Sequence, residues 1–126
     1  MSMINPLAKV RGLGSAKEGT HHWIAQRMTA VALVPLALWF VASLICLIGA
    51  DLAAVKAWIA SPINAILMIL TLVAGFHHAQ LGLQVVIEDY IHGHAMKIGA
   101  LWLVKGAAVF FGAAAVFSVL KLAIGG

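Results

Sequence analysis

Three apolar runs, each longer than the roughly 20 residues that carry an α-helix across a bilayer, govern what this chain can fold into. Met28 to Ala50 holds no Asp, Glu, Lys or Arg. Ile63 to Ile87 holds none either, and most of its polar side chains (His77, His78, Gln80, Gln84) gather in its second half. The only charges of Ile98 to Ile124 are Lys105 and Lys121, near its two ends. Inside lipid a backbone must satisfy its own hydrogen bonds, so a run of this length and composition is a helix. The expected fold class is an all-α membrane protein with three transmembrane helices, at about 21–49, 62–90 and 97–124.

Composition excludes the alternative of a soluble domain. Apolar residues make up 63% of the 126 and charged residues 10%, against roughly 25% charged in ordinary globular domains. Mean hydropathy is +1.05. The net charge of +4 comes largely from Lys9, Arg11, Lys17 and Arg27, which precede the first run. By the bias of basic residues toward the cytoplasmic side, the N-terminus is expected inside. Basic residues placed beside membrane spans also argue against nucleic acid as a partner. Residues 1–27 are polar and basic, so no cleavable signal is expected and the first helix should serve as its own insertion signal. Cys46 stands alone and has no internal disulfide partner.

The chain divides into an N-terminal arm, 1–20, and a membrane domain, 21–126. Asn5-Pro6, Gly12, Gly14 and Gly19 predict an irregular arm, with Thr20 as a candidate cap for the first helix. Asp51 to Pro62 reads as a short loop, and Ile91-His92-Gly93-His94 as a turn. Trp23, Trp39, Trp58 and Trp102 suit interfacial or packing positions. Gly106, Gly112 and Ala113 to Ala115 form a small-residue surface suited to close helix packing. Three helices make a thin bundle, so Arg27, His78 and Asp89 would face lipid unless other membrane subunits cover them.

The second run carries the chemistry. His78 and Asp89 are eleven residues apart, close to three turns, and so share one helix face about 16 Å apart along the axis. Gly82, one turn after His78, leaves room for a bulky planar group. An imidazole at membrane depth is costly and marks a functional candidate. His78 could ligate haem iron, relay protons, or make an interhelical hydrogen bond. His77 points about 100° away, so only one of the pair can face a given cofactor, and His78 shares the face of Gly82 and Asp89. Asp89 and Tyr90 pair a carboxylate with a phenol, which suits proton-coupled reduction of a quinone; they also suit a solvated acid beside an aromatic-belt tyrosine. Arg27 could snorkel to phospholipid, hold a haem propionate, or polarise a quinone carbonyl. His21, six residues earlier, could reach anionic groups at the same membrane face. Glu88, His92 and His94 read as surface residues.

Two blocks, His21-x5-Arg27-x-Thr29-Ala30 and His78-x3-Gly82-x6-Asp89-Tyr90, resemble the small hydrophobic D-type membrane anchor of bacterial succinate dehydrogenase, respiratory complex II, of the cytochrome b556 family. The resemblance covers most of the chain. It implies that a second anchor subunit packs beside this one and that the pair holds one haem b. It also implies docking of an iron-sulfur subunit and a flavoprotein subunit on the inner face of the bacterial cytoplasmic membrane, with ubiquinone as the substrate reduced. By the same resemblance His78 matches the axial haem ligand. Tyr90 matches the tyrosine on the quinone carbonyl, with Asp89 its acidic neighbour, and Arg27 and His21 match basic residues near the propionates and the quinone pocket. Such a subunit catalyses nothing alone. A fumarate reductase anchor, a small proton-coupled transporter and a structural assembly subunit are the rival readings. The transporter would need a mid-membrane carboxylate, which helix one lacks and which Asp89, at a helix end, does not supply.

Overall fold

A computed structural model describes residues 6–10 and 17–125, and the described residues form five helices and no strand. They are α1 (Pro6–Val10), α2 (Lys17–Cys46), α3 (Leu52–Ala60), α4 (Pro62–Tyr90) and α5 (His94–Ile124). Helices α2, α4 and α5 have 30, 29 and 31 residues. At about 1.5 Å per residue each runs some 45 Å, more than the roughly 30 Å hydrocarbon core. These three are long and apolar enough to cross a membrane, as the uncharged runs require.

The ends differ from the expected ones in ways local chemistry explains. Helix α2 begins at Lys17, so Thr20 lies one turn inside it rather than capping it. It ends at Cys46, and the chain then tightens through a Leu47 N–H shared between Ser43 O and Leu44 O. Gly49, at φ +80°, turns the chain in a conformation that costs a residue with a Cβ about 1 kcal/mol or more. The arm is not wholly irregular, because Pro6–Val10 is helical. The glycines at 12 and 14 lie outside the described residues. The segment expected as a loop between the first two spans is the nine-residue helix α3. Asp51 caps it, its Oδ1 accepting the Ala54 N–H at 2.8 Å. Pro62 then opens α4 as its first residue, where its missing N–H costs nothing.

Helix α4 is the centre of the arrangement. It packs against both α2 and α5, while α2 and α5 share no backbone contact. The three spans therefore form a row. Among the described residues the buried apolar ones are Ala65, Leu81 and Ile87 on α4 and Val119 on α5, as expected for a middle helix between two neighbours. The outer helices expose apolar side chains, among them Val31, Val34 and Leu38 on α2 and Val109, Phe110 and Phe117 on α5. That pattern is costly in water and appropriate in lipid or against another membrane subunit.

Helix α3 closes one end of the row. It contacts α4 and α5, and its Trp58 stacks on Trp39 of α2 with ring centroids 5.6 Å apart. Such pairs contribute about 0.5–1.5 kcal/mol beyond area burial. Asn64 of α4 donates through Nδ2 to Trp58 O at 2.9 Å. Where α4 and α5 meet, a Cβ added at Gly112 would stand in ordinary van der Waals contact, 3.5 Å from Phe76 Cγ. Of the small residues expected to serve packing, Gly112 lies against Phe76 of α4, whereas a Cβ at Gly106 would meet nothing within 4 Å.

Candidate functional site

The two neighbours of α4 divide its polar residues into two sets. Toward α2 stands His78, half-buried, whose Nδ1 lies 3.0 Å from Thr29 Oγ1. This is a bond between helices whose residues are 49 apart in sequence. Thr29 Oγ1 also lies 2.8 Å from Ala25 O and 3.0 Å from Gln26 O on its own helix. Such back-bonding one turn up the chain fixes the hydroxyl's rotamer. His77, one residue earlier, is exposed on another side of the helix. Gly82 is open: nothing lies within 4 Å of where its Cβ would stand.

Asp89 and Tyr90 close the same helix, both exposed, with Tyr90 78% accessible. The Ile91 N–H donates to Ile87 O and ends the helix there. Since α2 and α4 run in opposite directions, the carboxylate and phenol lie at the end of the row where α2 begins. His78 is about 16 Å deeper along α4.

The basic residues of α2 are arranged differently from what their sequence spacing suggests. Arg27 is exposed, with its guanidinium carbon 5.5 Å from the Trp23 ring centroid. This cation–π pair at i and i+4 occupies a side of α2 roughly 160° from Thr29. His21 is exposed as well. The structure brings neither into contact with His78 within this chain. The α2 histidine that faces inward is instead His22, seven residues from Thr29 and hence on its face. Its Nε2 is buried without a hydrogen-bond partner. Sequence reasoning passed over His22 because the doublet His21-His22 shows no preference until one knows which face of α2 meets α4.

Toward α5 the polar residues satisfy one another. Gln80 Nε2 donates to Gln84 Oε1 at 3.2 Å, and Gln84 Nε2 donates to Glu88 Oε1 at 2.8 Å. Lys97 Nζ of α5 then donates to Glu88 O at 2.9 Å. The i, i+4 spacing of 80, 84 and 88 was the available signal for this ladder. Beside its upper end a groove of about 520 Å³ opens between α4 and α5, lined by Phe76, His77, Gln80, Lys105 and Gly112 among others.

Chemically, this chain can offer one imidazole to a metal at membrane depth. No three His, Cys, Asp or Glu side chains converge among the described residues. A porphyrin, which brings four nitrogen ligands of its own, asks only for that one axial group. At the end of the row the chain can offer a phenol donor and a carboxylate to a planar carbonyl compound.

Comparison with known proteins agrees along nearly the whole chain. Residues 1–120 match the family described as succinate dehydrogenase/fumarate reductase transmembrane subunit. A succinate dehydrogenase hydrophobic membrane anchor subunit from Paracoccus denitrificans is 34% identical over 127 aligned positions, covering 99% of this chain and 96% of that protein. The subunit of the same description from Rickettsia bellii is 36% identical over 99 residues, 79% of each chain. A succinate dehydrogenase membrane anchor subunit from Reclinomonas americana is 30% identical over 96 residues, 74% of this chain and 80% of that one.

Proposed function

This chain belongs to the succinate dehydrogenase/fumarate reductase transmembrane subunit family, as a multi-pass inner-membrane anchor subunit that is not an enzyme by itself, and on that premise we propose that it holds half of a haem b site and part of a quinone site. The rest of both sites comes from a second anchor subunit. The assembled complex oxidises succinate, the reaction for which the similar anchor subunits are named, and reduces ubiquinone.

The observation that carries this reading is the Thr29–His78 contact. It engages one ring nitrogen and leaves the other, Nε2, without a protein partner among the described residues. Open space beside Gly82 supports a planar group on the same face. His78 would hold the iron through Nε2, and the partner anchor would supply a second ligand. Haem, when bound, supplies a one-electron carrier at membrane depth. The apolar flanks of α2 and α4 keep water from that depth.

With the N-terminus inside, Asp89, Tyr90 and the start of α2 stand at the inner membrane face, where the iron-sulfur and flavoprotein subunits dock. There the Tyr90 hydroxyl donates a hydrogen bond to a quinone carbonyl oxygen and favours the charge that builds on it. Asp89 provides a route for protons. Two electrons from the iron-sulfur subunit and two protons convert the quinone to quinol. Arg27 and His21, both exposed toward surroundings outside this chain, are assigned to the haem propionates or to a quinone carbonyl.

The test is to purify the complex through a tag on this chain and record its reduced-minus-oxidised spectrum. A b-type haem accompanied by a flavoprotein and an iron-sulfur protein is expected; a colourless chain without partners would sink the proposal. In the same preparation Tyr90→Phe should lower quinone reduction by about 100-fold, the order of one lost donor to developing charge. Succinate oxidation by a soluble artificial acceptor should stay near the wild-type rate. Equal loss in both assays would mean that Tyr90 serves assembly instead.

A further inference from the structure

We infer that Thr29 is a positioning residue for the haem ligand: its hydroxyl oxygen accepts the Nδ1 hydrogen of His78 and so keeps the lone pair on Nε2. The inference rests on the haem reading above and adds to it a residue of another helix.

The Thr29 hydroxyl has a single hydrogen and three neighbours, Ala25 O at 2.8 Å, Gln26 O at 3.0 Å and His78 Nδ1 at 3.0 Å. The two carbonyls can only accept. If the hydroxyl hydrogen goes to Ala25 O, the shortest of the three, a lone pair of the oxygen is left facing His78. Nδ1 must then carry a hydrogen and donate it, and a neutral imidazole with Nδ1–H has its free lone pair at Nε2. In the opposite arrangement the hydroxyl donates to Nδ1 and the ring hydrogen moves to Nε2. That N–H has no acceptor among the described residues, and a nitrogen bearing hydrogen cannot bind iron. Only the first arrangement gives both Ala25 O and His78 Nδ1 a hydrogen-bond partner and leaves a metal-binding atom.

Two consequences follow for the ligand. Bonding on the far nitrogen fixes the ring's orientation, and it makes the ligating nitrogen more basic. A more basic axial nitrogen favours ferric over ferrous iron, so the Thr29 contact holds the potential of this haem down. The threonine can do this because α2 itself anchors the hydroxyl through Ala25. The imidazole is therefore referenced to a rigid helix and not to a mobile side chain.

The experiment compares the whole complex carrying Thr29→Val, Thr29→Ser or the native residue. Haem retained per complex and the midpoint potential from optical titration are the readouts. Thr29→Val keeps the shape and removes the oxygen; it should weaken haem binding by about 10-fold, the lower range for such outer partners, and raise the midpoint potential. Thr29→Ser keeps the oxygen and should restore both values toward native. Native retention and potential in Thr29→Val would overturn the inference while leaving haem binding by His78 intact. Thr29→Ser behaving like Thr29→Val would overturn it too, because the methyl and not the hydroxyl would then set the site. A native complex lacking haem altogether would instead strike the underlying reading. Should Thr29→Val fail to assemble, Thr29→Ala read against Thr29→Ser carries the same decision.

Discussion

The two sides of α4 handle polar atoms in opposite ways. On the α5 side, Gln80, Gln84 and Glu88 bond along their own helix and need little from elsewhere. On the α2 side, His78 reaches across to Thr29 and uses only one of its two nitrogens. Buried or lipid-facing polar groups that pair among themselves are structural; one that is oriented and then left with a free lone pair is prepared for something outside the chain. On the proposed reading the difference separates a packing face from a chemical face on one helix, and it makes the histidine doublet intelligible. His77 and His78 are chemically identical, yet one lines the α5 groove and the other meets α2.

Swapping the doublet would break this comparison most directly. His78→Leu should remove the b-type haem signal, a loss beyond the roughly 10–100-fold that outer-partner changes cost. His77→Leu should leave the spectrum near native, and the reverse result would reassign the chemical face. A smaller effect is expected from Gly112→Leu, which drives a side chain into Phe76 across the α4–α5 contact. Overpacking of this kind costs about 1–3 kcal/mol and should lower the thermal midpoint of the purified complex without shifting the haem bands. The smallest belongs to Gln84→Leu. Membrane hydrogen bonds average about 0.6 kcal/mol, and this variant loses two of them. Its melting should change slightly and its haem content not at all; a lost haem signal would show that the ladder side also serves the cofactor.

How far the sequence could be read depended on the range of the interaction. The three spans were legible because each is a property of one uninterrupted stretch, such as Met28–Ala50. Helix α3 was missed although Asp51 and Pro62 punctuate it, since nine residues between two apolar runs look like a connector. Arg27 over Trp23 and the 80–84–88 ladder lie at helix spacing and were within reach of a wheel argument. Thr29 appeared in the sequence only as part of a resembling block, with no partner visible, because that partner is 49 residues away. The same holds for His22, whose inward position depends on the rotation of α2 against α4. The sequence can name residues fit for chemistry along one helix; which of them meet across helices is a property of packing.

Among the described residues the backbones of α2 and α5 do not meet, and this has a consequence in time. A chain leaves the ribosome from its first residue, and the α2–α4 pair, with Thr29 already able to find His78, is complete once Tyr90 has entered the membrane. Nothing in that pair waits for α5. Insertion of α5 therefore adds a wall beside a helix pair whose own contacts do not depend on it.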